Sequence, residues 1–543
     1  MLDIRTEWQP DAALCEISAL SEMVFTHTGN DAEDRRIRRL AKAGQLRQIV
    51  PRVYTTNLRD TSEAVTRRNI WAILGKLLPG TVISARSAAL AAPAYHQEQA
   101  DQPRSSGYVF LTGPSRRALS LPGIEVRLAA GPGPLPGDTQ FSGLYLASAP
   151  RQLLENLAPT RERSGMARGL GRPAVEQFLV RQCDSAGEAR LNEIRDQARA
   201  LVGALDADGA FQILDNLIGA LLQTRTATLS TQAGIALASG EPIDTACIDR
   251  LNILFAFLRA TPMPRRPDEG AGTPAATATA FIEAYFSNDI EGTRFLVEEA
   301  RAIVFDGVIP ERRPQDGHDV LATFQQLAAV EDMARSPRDF EAFEVALRGR
   351  HHALMEVRPE ISPGTFKAQP NKAGNTVFVQ PSQVRGTLRE GFRLLGGLDE
   401  PLARAIFVHF LIADVHPFTD GNGRMSRILM AAELVRGNLA RIVIPTVYRE
   451  DYLGALRALS RHDDPAPLVR CLDRAQSVTA SIVKDDVGQA IEAWAATHAF
   501  VEPGEHARLA PYIPAVPVEW REGIPAPRSY WKAISSLSPV PRL

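Results

Sequence analysis

The chain has 543 residues, enough for about three or four domains that each bury a core of their own. Hydrophobic residues make up 45% of it and charged residues 23%, as in ordinary globular proteins, and the formal net charge of −2 gives no overall attraction to nucleic acid. The longest apolar run, residues 405–415, is too short to span a bilayer and contains His409 and Asp414, which argues against a membrane protein.

The start of the chain and its cysteines indicate a reducing compartment. The first residues, M-L-D-I-R-T-E, lack the basic-then-apolar profile of a signal peptide. The cysteines lie far apart and form no metal-binding or redox pair: they are Cys15, Cys183, Cys247 and Cys471. We therefore expect a cytoplasmic protein whose cysteines are reduced and serve packing.

The first predicted element is an amphipathic helix over residues 31–43. Ile37, Leu40 and Ala41 share one face, and Gly44 ends the helix. The remaining arc is basic and would contact phosphates if this helix binds DNA; its residues are Arg35, Arg36, Arg38, Arg39 and Lys42. A solvated basic helix face is the alternative interpretation.

A short two-stranded wing is predicted directly after this helix, at residues 46–54, where apolar and basic side chains interleave. Residues 10–75 are therefore predicted to form a winged helix. Further extended or apolar runs follow, V-I-S-A-R-S-A-A-L at 82–90 and V-F-L-T at 109–112. Over about residues 10–190 these segments resemble AbiEi-type antitoxins, which implies a DNA-binding half without catalytic residues.

The remaining boundaries follow from composition. Residues 76–190 are predicted to be an α+β region and residues 191–260 a helical region. Three prolines and two glycines between residues 262 and 272 predict a linker at 261–275. The main helical domain would occupy residues 276–483. A proline-rich C-terminal appendage, irregular or used for docking, would follow at 484–543.

Residues 281–294, F-I-E-A-Y-F-S-N-D-I-E-G-T-R, are predicted to form a helix in this domain. Phe281 and Tyr285 have helical spacing, and Ser287 and Glu291 lie one turn apart, with Gly292 next. Taken alone, this pattern also fits a surface acidic residue near a helix end.

A hairpin is predicted farther along the chain. Two short extended runs, S-P-G-T-F-K at 362–367 and N-T-V-F-V at 375–379, bracket a turn-rich centre. The edge of such a hairpin could add a strand to a bound protein segment. An ordinary surface hairpin is the alternative.

The most informative segment is H-P-F-T-D-G-N-G-R-M-S-R at residues 416–427, between two helical patterns. Gly421 and Gly423 allow backbone N–H groups at a helix start to converge on an anion, and Asn422 can add a side-chain donor. The segment is therefore predicted to be a helix-loop-helix that binds a polyphosphate.

Four further side chains of this loop have matching chemistry. Arg424 and Arg427, three residues apart, can bind terminal phosphates through their forked guanidinium groups. Asp420 is a hard oxygen ligand suited to Mg²⁺ shared with the phosphates. His416 can accept a proton near neutral pH. Together these residues predict a phosphate-handling active site.

The loop matches every fixed position of the Fic family signature, H-x-F-x-(D/E)-G-N-G-R-x-x-R, and so resembles that family. The resemblance implies transfer of AMP from ATP to a protein Ser, Thr or Tyr hydroxyl. His416 would deprotonate the hydroxyl, and Asp420 would hold Mg²⁺ at the α- and β-phosphates. Asn422 and the glycine amides would steady the developing charge, while Arg424 and Arg427 would orient the β- and γ-phosphates.

The resemblance also implies an inhibitory pair. Residues 287–292 resemble the Fic motif (S/T)-x-x-x-E-(G/N), whose glutamate pairs with the second arginine of the loop. Glu291 would then neutralise Arg427 and keep ATP from binding productively. The resting protein is therefore expected to be restrained.

The predicted hairpin resembles the Fic flap, which registers the target segment. The residues expected to dock the target are Gly364, Thr365, Phe366 and Lys367. The overall expectation is a mainly α protein: an all-helical Fic domain with a β-hairpin flap, preceded by an α+β half containing a winged helix.

The expected partners are a target protein, the chain itself as a second target, and DNA through the N-terminal half. Two other functions are consistent with the same residues. The chain could be a transcriptional regulator that uses the Fic loop as a nucleotide sensor. It could also be an enzyme that removes AMP, with Glu291 positioning water. UTP or GTP would satisfy the same phosphate cradle as ATP.

Overall fold

The computed structural model describes residues 21–27, 29–95, 106–159, 166–504 and 508–513. The chain divides into two compact units, Met1–Pro242 and Ile243–Leu543. Cys15, the first part of the predicted winged helix at 10–20, and the predicted appendage beyond residue 513 lie outside the described residues.

The first unit opens with a helix packed on a small antiparallel sheet of order β1-β3-β2. Asn30 caps the helix by accepting hydrogen bonds from two first-turn amides, and Ile37 and Leu40 are buried against the sheet. The elements are β1 (Met23–Phe25), α1 (Asp31–Lys42), β2 (Arg47–Val50) and β3 (Val53–Thr55). The helix and hairpin lie where they are predicted; the winged helix and its DNA binding stay predictions.

A six-stranded mixed sheet of order β6-β7-β5-β4-β9-β8 follows, with parallel pairs β5/β7 and β4/β9. Its strands are β4 (Val82–Ile83), β5 (Gly107–Gly113), β6 (Arg117–Leu121), β7 (Ile124–Ala130), β8 (Thr139–Phe141) and β9 (Leu144–Leu146). The accompanying helices are α2 (Ser62–Arg68), α3 (Ile70–Leu77), α4 (Ala85–Leu90) and α5 (Ala149–Leu157). This region confirms the predicted α+β fold.

Four helices complete the described part of the first unit. They are α6 (Arg172–Ala186), α7 (Glu188–Leu205), α8 (Asp208–Leu221) and α9 (Gln232–Ala238). Their buried faces are lined by leucine and isoleucine at helical spacing, such as Leu191 and Ile194 on α7.

The second unit is almost entirely helical, as predicted. Its helices are α10 (Thr245–Ala260), α11 (Pro274–Ile290), α12 (Val297–Phe305), α13 (Pro314–Ala328), α14 (Val330–Met333), α15 (Phe340–Met355), α16 (Val384–Leu395), α17 (Pro401–Val415), α18 (Asn422–Arg436), α19 (Arg449–His462), α20 (Ala466–Ala480) and α21 (Val487–Ala495). Two short strands, β10 (Lys372–Ala373) and β11 (Thr376–Val377), form its hairpin.

The centre of this unit is the antiparallel pair α17 and α18. Pro401 occupies the first turn of α17, where its missing N–H costs nothing, and the apolar run behind it is buried all round. Helix α11 is also buried along nearly its whole length, with Phe281 and Phe286 in a core shared with Trp494. The helix predicted to carry the inhibitory pair is therefore a core element.

The boundary between the units differs from the predicted linker at 261–275. Helix α10, which precedes that segment, packs on α16 and α17 within the second unit. The segment itself is fixed: the Arg266 guanidinium donates 2.7 Å to Asp473, and Pro267 forms a β-bridge with Leu439. Proline and glycine correctly indicate irregular backbone here, but they carry no information on what that backbone packs against.

The hairpin also lies elsewhere than predicted. Its strands are β10 and β11, within residues 372–377, whereas residues 362–367 form turns. Gly364 has φ +74°, its N–H donates to His351, and Lys367 is buried with its backbone N–H bonded to the Pro417 carbonyl. Three of the four residues expected to dock a target, Gly364, Thr365 and Lys367, use their backbone N–H groups inside the protein, and the docking role of the four stays a prediction.

Among the described residues, none of the helices is both long enough and apolar enough to cross a bilayer.

Helix α10 provides a test of the domain boundary. The Arg250 guanidinium donates 2.8 and 2.9 Å hydrogen bonds to Asp414, which is buried on α17. A fragment of residues 276–543 would leave Asp414 without its partner, at a cost of about 3–5 kcal/mol, and would expose the covered faces of α16 and α17. We expect residues 243–543 to unfold cooperatively on heating and residues 276–543 to be unfolded or aggregated.

The matched control is residues 225–543, which should behave like residues 243–543. Equal melting temperatures for the 243–543 and 276–543 fragments would contradict the assignment of α10 to the second unit.

Candidate active site

The predicted loop lies at the wall of a cavity of about 660 Å³ in the second unit. The C-terminal end of α11, the hairpin tip, the junction of α17 and α18, and one face of α19 surround it. His416, Arg427 and Glu291 all line this space, although they are up to 136 positions apart in the chain. The structure therefore brings the predicted base and the predicted inhibitory pair into one site.

His416 ends α17 in the left-handed region, with φ +52°. Its ring stacks on Phe378 at a centroid separation of 3.7 Å, and its Nδ1 lies 3.2 Å from the Ala413 carbonyl oxygen. Nδ1–H donates to that carbonyl, so Nε2 is the nitrogen that carries the lone pair. The geometry presents a neutral imidazole with a defined tautomer, as a general base requires.

Burial lowers the pKa of His416 to about 4. The Lys367 ammonium acts in the same direction, while the Ala413 carbonyl and the carboxylates of Glu291 and Asp420 oppose it. At neutral pH the ring is therefore unprotonated and available as an acceptor.

A buried stack of two rings, Phe418 and His351, supports the loop. Phe418 is fully buried and stacks on the His351 ring at 3.6 Å. His351 Nε2 lies 3.0 Å from the Asp420 carbonyl oxygen, and its Nδ1 accepts from the Gly364 N–H. Burial lowers the pKa of His351 to about 4, which keeps it neutral with one donor and one acceptor. This histidine on α15 is a support that the sequence does not reveal.

The Asn422 side chain closes the loop by bonding its backbone. Its Oδ1 accepts from the Phe418 N–H, its Nδ2 donates to the Phe418 carbonyl, both at 2.8 Å, and the side chain is buried. The predicted side-chain donor is therefore used internally. The first-turn amides of α18 have no acceptor within the helix. They therefore remain available to donate hydrogen bonds to an anion.

Arg424 is paired inside the protein. It is only 3% exposed, and its Nη1 lies 2.8 Å from Asp319 on α13, which in turn bonds Arg358. A guanidinium buried this deeply needs a carboxylate partner, and α13 supplies one. Arg424 therefore pairs α18 with α13 in this structure, and the phosphate-binding roles of Arg424 and Arg427 stay predictions.

Arg427 is the second buried arginine of the loop, and the end of α11 holds it. Its Nε donates 2.9 Å to the Ser287 hydroxyl, and its Nη2 donates 2.8 Å to the Ser287 carbonyl and 2.6 Å to Glu291 Oε1. The Tyr452 side chain contributes a further interaction. Since Ser287 and Glu291 are one helical turn apart, both reach the same guanidinium, as predicted.

The pair differs strongly in exposure. The Arg427 side chain is 5% exposed, whereas that of Glu291 is 33% exposed. Gly292, with φ +90°, ends the helix directly after Glu291. The carboxylate is therefore the member that can move into solvent while the guanidinium stays in place.

Gly423 makes this pairing possible. A Cβ atom at position 423 would lie 2.1 Å from Glu291 Oε1, closer than any real contact. The missing side chain at position 423 thus leaves room for the Glu291 carboxylate over the start of α18, where the backbone N–H groups favour negative charge.

Asp420 is exposed, and its Oδ1 accepts a 2.7 Å hydrogen bond from the Gly421 N–H. Within the described part of the chain, no three His, Cys, Asp or Glu side chains are grouped to hold a metal ion by themselves. Mg²⁺ is commonly bound by one or two carboxylates together with substrate phosphates. Asp420, a single exposed carboxylate, fits that arrangement.

Helix α19 forms the far wall and was not predicted as part of the site. Tyr452, Leu453 and Leu456 provide its apolar surface, and Arg457 lies beside them. The Arg461 guanidinium donates 3.0 Å to the Thr376 hydroxyl and ties this helix to the hairpin. The only signal in the sequence was amphipathic helical spacing, which does not distinguish a cavity wall from a core face.

The stacking of Phe378 on His416 provides a test of the pKa. In Phe378→Leu the imidazole gains access to water, so we expect its pKa to rise from about 4 by about one unit or more toward 6.5. The measurement is an NMR titration of the ring resonances, assigned by comparison with His416→Gln.

Phe366→Leu is the matched control, because the Phe366 ring packs on Phe418 and not on His416. An unchanged pKa in Phe378→Leu would show that the stacking does not desolvate the base.

The buried histidines provide a second test. His351, His409 and His416 have pKa values lowered by burial to about 4, 3 and 4, below the unfolded value near 6.5. The unfolded chain then binds more protons below pH 6.5, so these groups destabilise the fold as the pH falls. The buried Glu283, with its pKa raised to about 7, has the opposite effect and offsets one of them.

When the pH falls from 6.5 to 5.5, the unfolding free energy of the chain should decrease. We therefore expect this decrease to be about 1 kcal/mol smaller in His409→Gln than in the unmodified chain. Urea denaturation at both pH values measures it. The exposed His352 is the control site, where His352→Gln should leave the difference unchanged. Equal pH dependence of all three chains would mean that His409 is protonated in the fold.

Comparison with known proteins identifies the domain around this site. Residues 344–434 match the family model described as Fic/DOC family. The protein adenylyltransferase fic-1 of Caenorhabditis elegans is 25% identical over 197 residues, which cover 35% of this chain and 39% of that protein. The protein adenylyltransferase Fic of Nematostella vectensis is 26% identical over 199 residues, 36% of this chain and 46% of that protein. The chain thus spans less than half the length of these curated relatives.

Solved structures with similarity to the chain include Fic-1 from C. elegans, at 20% identity and a TM-score of 0.32, covering 63% of this chain and 90% of that chain. A Fic domain containing signaling protein from Bacteroides thetaiotaomicron has 20% identity and a TM-score of 0.35, with coverage of 43% and 96%. These scores are too low to add to the sequence match. Residues 344–434, from α15 to α18, therefore match the Fic/DOC family model, and this part of the chain is similar to Fic adenylyltransferases.

Proposed function

We propose that the chain is a protein adenylyltransferase that transfers AMP from ATP to a hydroxyl side chain of a protein and restrains itself through Glu291. One observation carries the proposal. A neutral imidazole, a helix N-terminus and a buried arginine meet at one cavity, and an acidic side chain of the same chain occupies the anion position. The names of the curated relatives, protein adenylyltransferases, support it.

The proposed reaction uses His416 as the base. Nε2 takes the proton of the target hydroxyl as its oxygen forms a bond to the α-phosphorus of ATP. The bond between the α-phosphorus and the bridging oxygen breaks, and pyrophosphate leaves with that electron pair. The products are a phosphodiester-linked AMP on the target, pyrophosphate, and a protonated imidazole that returns its proton to water.

The phosphates would bind where Glu291 now lies. The first-turn amides of α18, with Gly423 among them, would donate to phosphate oxygens, and Arg427 would bind the γ-phosphate once the carboxylate withdraws. Asp420 would hold Mg²⁺, which would supply positive charge against the phosphates.

The target segment would enter beside the hairpin. Residues 373–376 at its tip line the cavity, and Arg461 holds Thr376 in place. The short strands β10 and β11 would offer backbone groups to an extended segment, which positions a hydroxyl near His416 with little demand on its sequence. This assigns the docking role to residues 372–377 in place of the predicted 364–367.

Regulation follows from competition for one guanidinium. A hydrogen bond to a charged partner contributes about 1.5–3 kcal/mol. Because Glu291 is partly exposed, its hydrogen bond with Arg427 should lie at the low end of this range. We therefore expect Glu291→Gly to raise incorporation of AMP, including into the chain itself, by roughly tenfold or more. Radiolabelled ATP, followed by gel electrophoresis, measures the incorporation.

Two variants sharpen this test. Glu291→Gln keeps the shape but removes the charge, so its activity should lie between those of the unmodified chain and Glu291→Gly. His416→Ala in the Glu291→Gly background should abolish labelling. Incorporation that is no higher in Glu291→Gly than in the unmodified chain would rule out the restraint. Release of AMP from a modified target, without any incorporation, would favour the reverse reaction.

A further inference from the structure

A second cavity, of about 800 Å³, lies in the second unit between α13, α15, α16 and α18. It shares no lining residue with the cavity at His416, and its volume is that of a site for a small organic molecule. Neither the loop motif nor the proposed reaction uses it. Its chemistry indicates what it would bind.

The polar part of this cavity is strongly basic. Among the described residues that line it, five are arginines and two carry carboxylates. Glu433 accepts from Arg404 and also pairs with Arg436, and Asp332 pairs with Arg350 at 2.8 Å. The two carboxylates are thus already shared among these arginines, and the lining keeps an excess of positive charge that favours an anion.

The remaining walls are apolar and partly aromatic. Phe343 and Phe392 lie with ring centroids 5.0 Å apart, and Leu347, Leu395 and Leu429 are buried beside them. Such walls suit a flat apolar group, which would gain from leaving water.

One buried acceptor in the lining points to a further feature of the ligand. Gln326 Nε2 donates 2.9 Å to the Arg350 carbonyl, while Gln326 Oε1 is buried and has no hydrogen-bond partner among the residues the structure describes. A buried acceptor of this kind normally has a donor. Gln326 as a whole is partly exposed, so a small shift of its side chain would bring Oε1 to the cavity, where a ligand with an N–H or O–H group would supply the donor.

We propose that this cavity is a binding site for a small organic anion with a flat apolar body and one hydrogen-bond donor. Arg335 and Arg338, the exposed arginines of the lining, would bind the anionic group. The Phe343 and Phe392 walls would cover the body, and Gln326 would accept from the donor. This site is separate from the proposed nucleotide site, because the two cavities have no residue in common.

The test uses indole-3-acetate, which has a carboxylate, an aromatic body and one N–H. Isothermal titration calorimetry on the full chain should detect one site. Tryptophol, which lacks the charge, should bind at least about tenfold more weakly, and naphthalene-1-acetate, which lacks the N–H, should bind a few-fold more weakly.

Gly349→Leu assigns the binding to this cavity. Gly349 lies on α15 in the lining, and a Cβ atom there has nothing within 4 Å, so leucine fills the space without a clash and favours the helix. Binding should be weakened at least about tenfold. Gly203→Leu, on α7 and equally open, is the matched control and should bind as the unmodified chain does.

A charge variant gives an independent readout. Arg338→Gln removes an exposed arginine from the rim of the cavity. It should weaken the binding of indole-3-acetate several-fold and leave the binding of tryptophol unchanged. No binding of indole-3-acetate at millimolar concentration would overturn the proposal. Equal affinities for indole-3-acetate and tryptophol, or unchanged affinity in Gly349→Leu, would do so as well.

Discussion

The burial of the Arg427 guanidinium is the constraint on which the site depends. A full charge inside a helical core is tolerated only when fixed oxygen atoms surround it, and the end of α11 provides them through Ser287 and Glu291. Two of the three acceptor atoms belong to Ser287, which is buried, and the third belongs to Glu291, which is partly exposed. The guanidinium therefore keeps its two hydrogen bonds to Ser287 when the Glu291 carboxylate leaves. Another anionic group could then take the place of the carboxylate.

Support and chemistry are assigned to different groups of the same loop. The carbonyls of Pro417, Phe418 and Asp420 are bonded by Lys367, by Asn422 and Asn371, and by His351, so the backbone has one conformation before anything binds. The amides at the start of α18 and Nε2 of His416 are not used in this way. Donors that the backbone already holds in place need no rearrangement of the loop to stabilise a bound charge, and among the groups described here the Glu291 carboxylate is the one that would have to move.

Helix α18 links the parts of the second unit that carry chemistry. Its first turns present Gly423 and Arg427 to one cavity, Arg424 crosses to Asp319 on α13, and its last turns present Glu433 and Arg436 to the other cavity. Helix α15 is placed in the same way, with Arg350 at one cavity and His351 under the loop. Each of these two helices therefore contributes side chains both to the loop or its cavity and to the second cavity.

The sequence by itself determined what depends on local spacing. Residues 416–427 specified the base, the glycine cradle and a helix on each side, and the four-residue interval from Ser287 to Glu291 specified two groups that can reach one partner. The tertiary structure decided everything that depends on partners distant in the chain: Asp319 pairs with Arg424, the second unit includes α10, and the hairpin lies at 372–377. The reason is physical, because a buried charge or backbone group is satisfied by whichever element folds against it, and no pattern within one segment contains that element.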